Sequence, residues 1–108
     1  MSIDNREKAF ENKFALDQQM LFKVEARTSK LVGLWAAGLL GLAGAEADTY
    51  AKEVVASNLD EPGFDDVKRK IKGYFSNANV NVSDHMIDEM IGKLTAEAQK
   101  QIEAENKA

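Results

Sequence analysis

Lys30 to Gly44 reads KLVGLWAAGLLGLAG, and the reading of this stretch decides the fold. Between Lys30 and Glu46 no residue carries a charge, and the run holds the single tryptophan, Trp35, with Gly33, Gly38, Gly41 and Gly44. Each glycine inside a helix costs roughly 1 kcal/mol relative to alanine. A helix here therefore implies a packing reason, and the absence of a Cβ lets a neighbour approach closely. Leu31, Leu34 and Trp35, then Leu39 and Leu42, fall at helical spacing and spread apolar groups around most of the circumference. A helix apolar on nearly every side is buried on nearly every side, so the stretch is expected to be the central helix of a small bundle. It is too short for a membrane span, which needs about 20 apolar residues. Gly38-x-x-Gly41-x-x-Gly44 matches neither phosphate-binding glycine fingerprint, and no strand precedes it.

Composition bounds the rest. A chain of 108 residues makes one domain. With 44% hydrophobic and 30% charged residues it has the balance of a soluble globular protein. Alanine, leucine, lysine and glutamate dominate beside one proline, which favours helices. There is no cysteine, so disulfides and thiolate metal sites are excluded. MSIDNREKAF has no apolar core of a secretory signal, and a cytoplasmic location is expected. A net charge of −4 argues against a nucleic-acid partner.

Working outward toward the N-terminus, residues 1–19 are polar, with Ile3, Phe10, Phe14 and Leu16 as their few apolar side chains. Asp4 and Glu7 have the spacing of a capping box, and Phe10 and Phe14 share one helical face. That face continues through Asp17, Leu21, Val24, Thr28, Leu31 and Trp35, broken only at Asp17 and Thr28. Two readings stay open: the first half of one long amphipathic helix, or a detachable arm that presents two aromatic anchors to a groove, with Asp17-Gln18-Gln19 as its hinge. The domain division follows as an arm over 1–19 and a helical bundle over 20–108.

Beyond the arm, the first long helix is expected from Met20 to about Leu42, with Gly41 and Gly44 as left-handed C-cap positions. A second runs from about Ala45 to Leu59, its core face formed by Ala47, Tyr50, Ala51, Val54, Val55 and Leu59. Pro62-Gly63 punctuates the chain. A third helix, ending near Asn77, carries the stripe Phe64, Val67, Ile71, Tyr74 and Phe75. NANVNV is a loop. Ser83 N-caps the last helix, with Val82 and Ile87 as a hydrophobic staple; its stripe is Ile87, Met90, Ile91, Leu94, Ala98 and Ile102. That helix runs to about Glu103, and ENKA is expected to fray. The architecture is all-α, a four-helix bundle with an N-terminal helical arm.

Catalytic chemistry finds no support. His85 has no cysteine to partner it and reads as an exposed turn residue; Asp84, Asp88 and Glu89 complement a helix dipole. Residues 77–89 lack the glycine of a calcium loop, and no metal is assigned. Met20, Met86 and Met90 read as core filler. Lys68, Arg69, Lys70 and Lys72 read as a solvated face. The residues point to a binding or regulatory protein, not an enzyme.

DNREKAFENKFALDQQMLFKVEARTSKLVGLWAA (4–37) with GLLG (38–41), then YAKEVV (50–55), EPGFDDV (61–67) and VSDHMI (82–87), resembles the zeta subunit of alphaproteobacterial F-type ATP synthases. The resemblance covers nearly the whole chain in matching order. It implies a four-helix protein that inhibits ATP hydrolysis by the F1 sector, its N-terminal segment entering a catalytic α/β interface near the γ rotor. On that resemblance Phe10 and Phe14 are the apolar anchors, while Asp4, Arg6, Glu7, Lys8, Glu11 and Lys13 supply polar contacts. The partners are then the α, β and γ subunits of F1, with association to the membrane-bound synthase only through F1 and a monomer when free. No cofactor is implied. A second reading is an adenine-nucleotide sensor, with Arg27, Lys30 and the 68–72 cluster as phosphate partners and Trp35 or Tyr74 for stacking.

Overall fold

The computed structural model describes residues 18–60 and 63–107. Four helices, here α1 to α4, span Gln18–Leu39, Ala45–Asp60, Asp65–Asn77 and Asp84–Lys107, and the described residues contain no strand. The expected all-α four-helix architecture is present. The expected arm with Phe10 and Phe14, the expected capping pair Asp4 and Glu7, the expected hinge residue Asp17, and Pro62 lie outside the described residues.

The connections are built from the residues that local chemistry demands. Gly41 takes φ +80° at the end of α1, and its N–H donates to Gly38 O while Leu42 N–H donates to Ala37 O at 2.9 Å. These two bonds close a Schellman motif, in which only a residue without a Cβ adopts the left-handed position at no cost. Asn79 does the same after α3 at φ 58°, with Val80 N–H donating to Phe75 O at 2.8 Å. Ser83 caps α4 as expected: its Oγ accepts from Met86 N–H at 3.1 Å. Asn58 is buried near the end of α2 and donates to Gly63 O at 2.6 Å, which holds the connection to α3.

α1 is the axis of the molecule, packed mainly on α2 and then on α4. Its buried face corrects the expectation. Val24, Thr28, Ser29, Val32, Gly33, Ala36 and Ala37 are buried, whereas Leu31, Leu34 and Trp35 are half-buried and Leu21 and Leu39 are exposed. The seam is made of small side chains, so α2 can approach, and the bulky ones splay to its flanks. Thr28 does not interrupt the face: its hydroxyl donates to Val24 O at 2.7 Å and enters the core satisfied.

Two apolar clusters result. The larger joins Val32, Ala36, Tyr50, Val54, Ile71 and Ile87, with Trp35 set edge-on to Phe75 at 5.9 Å between ring centroids. The smaller joins Val24 to Ala98 and Ile102, flanked by Met20 and Leu31. α1 and α4 thus run antiparallel, the start of one against the end of the other. Three expected core positions are corrected: Leu59 and Met86 are exposed and Tyr74 lies at the surface. Leu59 and Met86 lie at the ends of their helices, and Tyr74 reaches along the surface of α2 to Glu53. The last helix also runs on to Lys107 instead of fraying after Glu103; Arg27 reaches Glu105 across the helix pair and ties that turn down.

Candidate partner-binding surface

The eight residues assigned to a protein interface, Asp4, Arg6, Glu7, Lys8, Phe10, Glu11, Lys13 and Phe14, lie outside the described residues. What the structure places next to them in sequence is the first turn of α1, where Phe22 is 57% exposed and Leu21 44%. Two large adjacent apolar side chains in water, at the point where the polar segment joins the body, make a surface with contact potential.

The three residues considered for a nucleotide are divided by the fold. Arg27 is spent on α4: its guanidinium donates to Gln101 Oε1 at 2.8 Å and to Glu105 Oε1 at 3.1 Å, and pairs with Glu105 Oε2 at 2.7 Å. The hydrogen bond from Arg27 holds the Glu105 carboxyl below its ordinary range, with Lys23 and Lys30 adding to the pull. Lys30 is exposed and borders the same groove as Arg27. Trp35 instead packs against Phe75 of α3, so it offers no stacking platform beside Arg27 and Lys30.

The basic run of α3 is likewise committed: three of its cations pair with carboxylates on neighbouring helices and Arg69 with one on α3 itself. Lys68 pairs with Asp88 at 2.7 Å, Lys72 with Asp84 at 2.9 Å, Lys70 with Glu53 at 3.9 Å, and Arg69 with Asp66. The Asp88 hydrogen bond raises the Lys68 pKa, and the Lys72 hydrogen bond lowers that of Asp84. Tyr74 donates to Glu53 at 3.2 Å with Lys70 5.6 Å over its ring. This face docks α3 onto α2 and α4 instead of awaiting a phosphate. His85 is 83% exposed in side chain and contacts Glu89 at 2.6 Å on its own helix. Among the described residues no group of His, Asp or Glu side chains is placed to hold a metal ion, and none of the described helices is long and apolar enough to cross a membrane.

One feature was not foreseen from the sequence. Between α1, α2 and α4 runs a groove of about 450 Å³, its apolar walls contributed by Phe22, Ala26, Val55 and Ile102. A second hollow of about 440 Å³ continues it along Ala51 and Lys52, sharing Lys30 and Val55 with the first. The only hint in the sequence was Phe22, an aromatic side chain beside Leu21 on a face where the helical stripe does not continue.

A family model described as ATPase inhibitor subunit zeta matches residues 1–101. No curated protein matches the chain.

Proposed function

The chain belongs to the ATPase inhibitor subunit zeta family, and from that premise we propose that it is a steric, non-enzymatic inhibitor of ATP hydrolysis by the F1 sector of ATP synthase. Residues 1–19 form the inhibitory arm and enter a catalytic α/β interface near the γ rotor, where Phe10 and Phe14 are buried as anchors. Arg6, Glu7, Lys8, Glu11, Lys13 and Asp4 set the register of the arm. Blocking a rotary motor requires a rigid obstruction at an interface that must open and close, and an amphipathic segment with two aromatic side chains at i, i+4 has the form of a helix-in-groove ligand.

The observation that carries this reading is the extent of the family match, which begins at residue 1 and so includes the arm. The body supports it in a second way: residues from Met20 onward assemble apolar clusters among themselves, with caps and interhelical ion pairs of their own. Such a body serves as a rigid mount for the arm. The α, β and γ subunits are the partners, and the protein reaches the membrane-bound synthase through F1.

Deleting residues 1–19 tests the assignment. The shortened chain is expected to keep its helical circular dichroism and cooperative unfolding while losing inhibition of F1 hydrolysis. Full inhibition by that form would refute it.

A further inference from the structure

The described cations differ in their partners: Arg27 and the basic run of α3 are paired, whereas Lys93 and Lys100 of α4 and three lysines of α1 and α2 make no ion pair with a described residue. Lys68, Arg69, Lys70 and Lys72 of α3 are all matched to carboxylates. Lys23 and Lys30 of α1 and Lys52 of α2 make no ion pair with any described residue, and all three border the continuous groove between α1, α2 and α4. They are not scattered. Lys23, Ala26 and Lys30 recur at i, i+3 and i+7 on one face of α1, while Lys52 and Val55 share the facing side of α2. Two carboxylates also line the groove, and only Asp48 has no ion pair, because Glu105 is taken by Arg27. In a chain of net charge −4 this strip carries a local excess of positive charge.

The floor between the lysines is apolar, formed by half-buried Val55 with Ala51 and Ile102, which are buried at its base. Phe22 is 57% exposed at one end, Ala51, Val55 and Ile102 line the middle, and Leu59, 55% exposed, lies one turn beyond Val55 on the same face of α2. An apolar trough with lysines along its rim is complementary to one kind of surface: an amphipathic helix whose hydrophobic stripe is flanked by Asp and Glu. A nucleotide fits less well, because Arg27 is already engaged with Gln101 and Glu105.

We infer that this groove is a second docking site, which receives an acidic amphipathic helix presented by a subunit of F1. The inference rests on the proposed function for its partner, and it adds a contact on the body to the contact made by the arm. Two linked sites explain how an arm of modest length holds its place, since tethering makes the second contact intramolecular and raises the effective affinity of both. The arm blocks; the groove anchors and steers.

The test uses the full chain and purified F1. In a Lys30→Glu, Lys52→Glu double variant, with fold verified by circular dichroism, the concentration giving half-inhibition should rise about ten-fold or more. The wild-type value should also rise with ionic strength far more steeply than the variant's. Separately, a photoreactive benzoylphenylalanine in place of Lys52 should cross-link to an acidic helix of F1. An unchanged half-inhibitory concentration overturns the inference, as does a cross-link only to residues 1–17 of the same chain, to a second copy, or to nothing. The same photoreactive residue in place of Phe14 reports on the arm independently. A cross-link to F1 from position 14 with none from position 52 removes the groove and keeps the arm. The converse removes the arm and keeps the groove.

Discussion

A β-carbon added to Gly33 would lie 2.9 Å from the Cα of Ala51, closer than any real side chain sits to a backbone atom, with Val54 Cβ 3.2 Å away on the other flank. The two helices at the centre of the protein therefore touch backbone to backbone at this point. The glycine of LVGLW is a packing residue, and its cost in helix propensity is offset by the closeness it permits.

Gly33→Ala is expected to lower stability by about 1–3 kcal/mol, because the obstructing atom belongs to backbone and cannot rotate away. Gly92, in the middle of α4, has nothing within 4 Å of its would-be Cβ. Gly92→Ala should therefore raise stability by about 1 kcal/mol. Urea denaturation of the two variants, both glycine-to-alanine, should give midpoints displaced in opposite directions.

Ser29 is fully buried and its Oγ has no hydrogen-bond partner among the described residues. A buried hydroxyl left unpaired forfeits its hydration without recompense. Ser29→Ala is thus expected to be neutral or to stabilise by up to about 1 kcal/mol, although the site lies in the core. Thr28, its neighbour, is the control: its hydroxyl is bonded to Val24 O. Thr28→Val keeps the shape and loses that bond, so its thermal midpoint should fall below that of Ser29→Ala.

Acid should loosen the end of α4 first. Glu105 is held below its ordinary 4.5 by Arg27, and Asp84 below its ordinary 3.8 by Lys72. A depressed folded-state pKa means stability that is present above the unfolded value and is lost as pH falls through the folded one. The urea midpoint should therefore be level near neutrality and decline below about pH 4.5, and the decline should be shallower in a Glu105→Gln, Asp84→Asn variant. At the alkaline end the sign reverses. Lys68, raised above 10.5 by its hydrogen bond with Asp88, contributes below that value and ceases to do so as pH climbs beyond its folded pKa. Amide exchange along residues 101–107 at pH 4 and pH 7 would locate the acid effect.

The two phenylalanines of the proposed arm should behave as interface anchors. Replacing either Phe10 or Phe14 with alanine is expected to cost about 2 kcal/mol or more in binding to F1, a rise of roughly thirty-fold in the half-inhibitory concentration. Glu11→Ala, between them, should change it by less than five-fold. The measurement is a titration of F1 hydrolysis with each variant.

Much of the protein is decided within single turns of the chain. The ends of the helices follow from Gly41, Asn79 and Ser83, because left-handed glycine or asparagine and an N-capping hydroxyl act on backbone groups three to five residues away. Val54, Val67, Ile71, Phe75 and Ile87 are core residues on periodicity alone, since each belongs to its helix's apolar stripe. The family, too, was legible from the order of quoted segments. The bulk of LVGLWAAGLLG misdirected the reading of α1, where leucines and tryptophan suggested a helix buried all round. Only the approach of α2 settled that Gly33, Ala36 and Ala37 face inward, because the distance between two helix axes depends on residues far apart in sequence. For the same reason no local pattern could pair Arg27 with Glu105, match the basic run of α3 to Asp84 and Asp88, or bring Phe22, Val55 and Ile102 to one groove. Propensity and capping are short-range energies that a sequence displays directly. Which surfaces meet, and which lysines remain unmatched, is the outcome of packing whole helices against one another.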